Sequence, residues 1–240
     1  MRRLYEKNEL LFAILWIVIY VVSMSIADGL SQNVGIEKSI TVVVSLILSS
    51  FLLVWIKKSG LSGKYGLVKG KFPPKTYLYF LPLVIIVSVN FWGGINVHLS
   101  LIESVFYVIS MLCVGLLEEI IFRGFLFKYL CKDNLTVAII VSSITFGIGH
   151  IVNLLSGADV LLTFLQIIYA TCAGFLFTVI FYKSGSMLPC IITHSLINAT
   201  SVIVFESNMT LSIITAVVLS VVPLIYALWI IKSDKKLLQK

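Results

Sequence analysis

Apolar runs of about 18 residues or more, the length that carries an α-helix across a bilayer, recur from one end of this 240-residue chain to the other. That recurrence constrains the fold more than any motif does, because it makes lipid the natural solvent of the chain. Hydrophobic residues supply 59% of the sequence and charged residues only 12%. A soluble domain of this length cannot bury so much apolar surface while still covering its own exterior. The runs also leave no room for a separate soluble domain. The sequence therefore predicts an all-α integral membrane protein, with residues 1–240 forming one membrane domain.

Eight transmembrane helices are expected, at about 10–27, 39–56, 77–95, 100–130, 135–155, 159–183, 187–205 and 210–232. Gly, Ser or charge punctuates the gaps, as at Asp28-Gly29, Ser59-Gly60, Gly93-Gly94, Lys132-Asp133, Ser156-Gly157, Ser184-Gly185 and Ser207-Asn208. Lys and Arg alternate with the runs. Arg2, Arg3 and Lys7 precede the first helix; Lys57, Lys58, Lys64, Lys69, Lys71 and Lys75 follow the second. Lys128 and Lys132 end the fourth, Lys183 ends the sixth, and Lys232, Lys235, Lys236 and Lys240 follow the eighth. The intervening loops hold only Lys38 among the bases, with Asp28, Glu37, Asp159 and Glu206. This alternation predicts that both termini are cytoplasmic. Arg2-Arg3, an apolar run and Ser25-Ile26-Ala27 loosely mimic a cleaved signal peptide. The run is longer than the usual apolar region of about 7–15 residues, so a retained helix is expected.

The formal charge of +7 lies in the short segments between runs and forms no patch, which argues against nucleic-acid binding. Cys113, Cys131, Cys172 and Cys190 have no C-x-x-C spacing, and plain lipid- or core-facing thiols are expected.

Ionisable groups within a bilayer are costly and usually line a cavity or pathway. Here they concentrate in Gly115-Leu-Leu-Glu118-Glu119-Ile-Ile-Phe-Arg123-Gly124, in Phe146-Gly-Ile-Gly-His150 and in His194-Ser-Leu-Ile-Asn198. Glu119 and Arg123 are four apart with the acid first, the favourable order for an intrahelical ion pair, and a supporting role is expected for them. Glu118 is rotated by about 100° from Glu119 on an α-helix. It is left as the unpaired carboxylate, suited to act as a general base on water. His194 and Asn198 share a helix face, where two neutral donors can hold a tetrahedral oxyanion. His150, from another helix, can orient the water or protonate the leaving amine. Counted along the helices at about 1.5 Å per residue, these groups fall between the cytoplasmic surface and just past the midplane, and a site open to the cytoplasm is expected. A lone His in such a helix more often makes an interhelical hydrogen bond than a catalytic contact. His98 receives no role, and Glu103 is read as interfacial. Gly147, Gly149, Ala170 and Gly174 are read as close-packing positions.

Together, Glu118-Glu119-x-x-x-Arg123, Phe146-x-x-x-His150 and His194-x-x-x-Asn198 resemble the CPBP family of CAAX proteases and bacteriocin-processing proteins, also called the abortive-infection family. The similarity covers about residues 100–200. The resemblance implies the eight-helix bundle of type II CAAX prenyl endopeptidases with a cavity open to the cytosol. It implies that Glu118 and His150 activate a water, that His194 and Asn198 stabilise the oxyanion, and that Glu119 and Arg123 support them. It also implies an intramembrane endopeptidase of a bacterial cytoplasmic membrane, acting on a peptide or protein substrate that need not be prenylated. Such an enzyme would mature a peptide precursor or give self-immunity to a bacteriocin. No cofactor is expected, because His-Glu-x-x-His is missing. Zinc held by Glu118, His150 and His194 stays open. Two other readings stand beside the protease: a non-catalytic membrane scaffold or immunity protein, and a small transporter using the acids as proton relays. The acidic motif occurs once, without an inverted repeat, which ranks the transporter last.

Overall fold

The structure, a computed structural model, describes residues 1–68, 78–203 and 209–233. Lys69, Lys71, Lys75, Glu206, Ser207-Asn208, Lys235, Lys236 and Lys240 lie outside the described residues, as do the edges of the expected third and seventh helices at 77 and 204–205. Within them a short helix α1 (Arg2–Lys7) leads into α2 (Glu9–Val34) and α3 (Ser39–Lys58). Then come α4 (Leu81–Ser88), α5 (Leu101–Glu118) with its continuation through α6 (Lys128–Leu130), α7 (Leu135–Gly149), α8 (Val160–Ser184), α9 (Leu188–Thr200) and α10 (Met209–Ser233).

Six of the described helical segments are long and apolar enough to cross a membrane: α2, α3, Leu101–Leu130, Leu135–Ser156, α8 and α10. The chain is a multi-pass membrane protein. The expected count of eight divides into these six and two shorter apolar helices, Leu78–Phe91 and Leu188–Ile203. At about 1.5 Å per residue neither short helix, within the described residues, reaches across about 30 Å of hydrocarbon. Both start next to a proline, Pro82 in α4 and Pro189 in α9, which suits a first turn that has no N–H to satisfy.

The expected break at Asp28-Gly29 is absent, and α2 runs on to Gly35, which ends it in the left-handed region at φ 74°. Asp28 is tolerated inside the helix because Lys38 Nζ (2.8 Å) and Thr41 Oγ1 (2.5 Å) satisfy it. Outward faces are apolar, as at Val18, Ile47 and Ile225 with 51%, 62% and 62% exposure, an arrangement suited to lipid. The inward face of α3 carries Thr41, Ser45 and Ser49, all buried, small residues that let helices approach.

The passes alternate between two ends. One end is basic: it holds every described Lys and Arg except Lys38 and the buried Arg123. There Glu9 joins α2 to the loop after α3 and to the α6–α7 turn through Lys64 (3.0 Å) and Lys132 (2.9 Å). At the opposite end Glu37 N–H donates to Glu103 Oε1 (3.1 Å), and Asn96 N–H donates to Ile203 O (3.0 Å).

Candidate active site

A capping box starts α5: the Ser100 hydroxyl accepts from Glu103 N–H and the Glu103 carboxylate receives Ser100 N–H. Past Glu118 the helix changes to π geometry over Glu119–Phe127, where every residue is buried. The i→i+5 pattern is rare and concentrates at functional sites. Ser142 of α7 donates to Phe122 O (3.0 Å), tying this segment to its neighbour. Glycines then set how near the other helices come. A Cβ at Gly115 would sit 2.5 Å from Ser195 N, so only glycine lets α9 lie this close to α5. At Gly147 it would sit 1.9 Å from Thr171 Oγ1, which fixes α7 on α8, and at Gly174 it would sit 2.9 Å from Arg123 Nη2. Gly149 differs from expectation: nothing lies within 4 Å of its Cβ position, because it faces the cavity described below.

The close approach of α9 places His194 between the two glutamates. Its Nε2 lies 3.2 Å from Glu118 Oε2 and its Nδ1 lies 2.9 Å from Glu119 Oε1. Both contacts are hydrogen bonds when each ring nitrogen carries a proton. With Arg123, two positive groups then balance two negative ones. Arg123 Nη1 is 3.1 Å from Glu119 Oε1, and both side chains have no exposed surface. Ring faces complete the arginine's surroundings, with its Cζ 4.1 Å from the centre of Phe146 and 5.7 Å from that of Phe177. Phe146 also meets His150 and His194 edge to face at 5.2 and 5.5 Å.

Glu118, expected to be unpaired, has two partners. The Tyr20 hydroxyl of α2 donates to its Oε1 at 2.7 Å, and His194 faces its Oε2. A carboxylate offers about four lone-pair sites, so both oxygens keep capacity for a water. Exposure separates the two acids: the Glu118 side chain is 13% exposed and Glu119 is 0% exposed. Glu118 alone of the pair lines a cavity of about 450 Å³, together with His150, His194 and Asn198. The Asn198 side chain has no hydrogen bond among the described residues. Asn90 Nδ2 holds the α9 backbone beside it at Ile197 O (2.6 Å). His150 opens the 3-10 segment His150–Ser156 after α7, with Nδ1 3.2 Å from Phe146 O. When Nδ1 donates there, Nε2 keeps a lone pair for a cavity ligand.

The cavity extends from the site toward the end of the bundle opposite the basic one. Its lining extends from Glu118 back to Tyr107, from Tyr20 on to Asp28 and Lys38, from His150 to Ser156 and from His194 to Ser201. All of these series lead away from the basic end. Toward the basic end the packing is closed, since Ile120, Ile121, Phe122, Arg123, Phe125 and Phe127 are at most 3% exposed. Distance along a helix, the basis of the expected opening to the cytoplasm, does not fix the end toward which a cavity lining extends.

Sequence spacing thus located Glu118, Glu119, Arg123, His150, His194 and Asn198, and the fold brings all six to one place. It missed Tyr20, a single phenol in an apolar run that carries no ionisable motif, and the part played by the Phe146 and Phe177 rings. Asn90 was visible as an amide within an apolar run. Among the described residues no three His, Cys, Asp or Glu side chains are arranged to hold a metal, and both His194 nitrogens already face carboxylates. Cys113 and Cys190 are buried thiols, and Cys131 and Cys172 are half-buried.

Residues 99–200 match the family model described as type II CAAX prenyl endopeptidase Rce1-like. No curated protein and no solved structure matches the chain.

Proposed function

Residues 99–200 belong to the CAAX protease family, and from that premise we propose that this protein is an intramembrane endopeptidase using a glutamate-activated water. One observation carries the reading: of the two motif glutamates, Glu118 is the one that lines the cavity, beside His150, His194 and Asn198. In the proposed reaction Glu118 takes a proton from a water, and the hydroxide attacks the scissile carbonyl carbon. The carbonyl oxygen becomes an oxyanion facing the Asn198 amide and the His194 Nε2–H, which the protonation of Glu118 releases. The C–N bond then breaks, and the proton passes from Glu118 to the leaving amine, with His150 aligning water and amine on the facing wall. Glu119 and Arg123 hold His194 in place. Neither step draws on a metal, and metal analysis of the purified protein tests that directly. Maturation of a peptide precursor or self-immunity to a bacteriocin, in a bacterial cytoplasmic membrane, is the biological setting proposed with it.

Glu118→Gln keeps the shape and removes the base. Loss of general-base catalysis lowers cleavage by about 10²–10⁴-fold, with the protein still folded and abundant. Peptidomics of cells expressing the native chain or this variant reads the result. Unchanged cleavage products would sink the proposal. An unchanged phenotype after replacing Glu118, His150 and His194 would instead favour the scaffold reading.

A further inference from the structure

We infer that the substrate is a polypeptide presented from the extracytoplasmic side, because the cavity opens at the end of the bundle where Lys38 is the one base among the described Lys and Arg residues. The inference rests on the protease reading of the cavity and adds the side from which the substrate arrives.

Three observations support it independently. First, the lining residues on five helical segments all run to the same end. On α8 the series goes from Phe177 back to Gln166, matching the courses already described on α2, α5, His150–Ser156 and α9. Second, the other end is sealed. Besides the π segment, Phe181 and Met187 are fully buried there. The Met187 N–H donates to Gly66 O (3.0 Å), which draws the loop after α3 over the α8–α9 turn. Gly66 is required in that seat: at φ 61° its Cβ would meet Gly185 O at 2.6 Å. Third, the sealed end carries Arg2, Arg3, Lys57, Lys58, Lys64, Lys128, Lys132, Lys183 and Lys232, whereas the open end has Lys38 bound to Asp28 at 2.8 Å. Lys and Arg are retained on the cytoplasmic side of a membrane, so the mouth faces away from the cytoplasm.

The mouth suits an extended peptide entering beside lipid. Asn153 Nδ2 donates to Gln166 Oε1 (2.8 Å), which leaves the Asn153 carbonyl and the Gln166 amide N–H groups for a peptide backbone. Next to them Leu155 is 85% exposed and Val160 72% exposed, an apolar rim where the membrane surface would lie.

The test needs no cleavage assay, so it can fail separately from the protease reading. Cys131→Ser and Cys172→Ala remove the half-buried thiols and leave the buried Cys113 and Cys190. Single cysteines are then added at Ser156→Cys, on the rim, and at Lys57→Cys, on the basic end. Cells are treated with a membrane-impermeant maleimide before and after permeabilisation. Ser156→Cys is expected to label fully in intact cells, and Lys57→Cys only after permeabilisation. Labelling of Ser156→Cys confined to permeabilised cells overturns the inference. Fusions after Ser233, with no cysteine changed, read the same orientation should the altered chain fold poorly. A fluorescent fusion active in the cytoplasm supports the inference; activity of an alkaline phosphatase fusion overturns it.

Discussion

His194 meets both glutamates, and Glu119 in turn meets Arg123, so four ionisable groups form one cluster inside the bundle. Burying an ion pair brings little net stability, but removing one member leaves a bare charge and costs about 3–5 kcal/mol. Arg123→Met is therefore expected to destabilise the protein by about that amount, through the Glu119 carboxylate it leaves behind. Adding Glu119→Gln to Arg123→Met should restore part of the loss, since the buried charge left without its arginine is then removed. Thermal unfolding in detergent checks both, and equal melting of native and single-variant protein would contradict the assignment. The residue spacings in the sequence were enough to pair Glu119 with Arg123, because four residues on one helix is a local relation. The same reasoning left Glu118 without partners, because Tyr20 reaches it from 98 residues away.

Helices here are positioned by what they lack as much as by what they carry. Gly115 allows the α5–α9 approach on which the His194 contacts depend, and Ser195 Oγ seals it by donating to Leu112 O (3.0 Å). Gly115→Ala is expected to push the two helices apart, costing about 1–3 kcal/mol for overpacking and lowering cleavage as His194 moves from Glu118. Gly29 of α2 is the comparison, with nothing within 4 Å of its Cβ position. Gly29→Ala should leave activity intact and gain up to about 1 kcal/mol from the better helix former. Equal behaviour of the two variants in melting and cleavage would refute the packing argument. The π turn over Glu119–Phe127 and the described lengths of Leu78–Phe91 and Leu188–Ile203 could not be read from hydropathy. Hydropathy sums apolar length and is insensitive to hydrogen-bond register or to where a neighbouring helix stops.

Across the whole molecule, a buried charge cluster near the middle and an exposed one at the basic end make opposite demands on stability. Glu9 with Lys64 and Lys132 clasps that end, but these side chains are 21%, 31% and 50% exposed. Such pairs contribute about 0.2–1 kcal/mol and are screened by salt. Glu9→Gln is expected to lower the melting temperature slightly in low salt and to leave it unchanged in high salt, in contrast with Arg123→Met. A large, salt-independent loss would show that Glu9 does more than clasp. The sequence by itself determined the membrane class, the alternation of charge between the two ends and the six polar residues that meet, since each follows from local composition or helical spacing. Only the tertiary structure decided which of the two motif glutamates lines the cavity, what else touches it and toward which end the lining extends. Those depend on contacts between helices far apart in the chain, and on the aromatic packing that closes one end of the bundle.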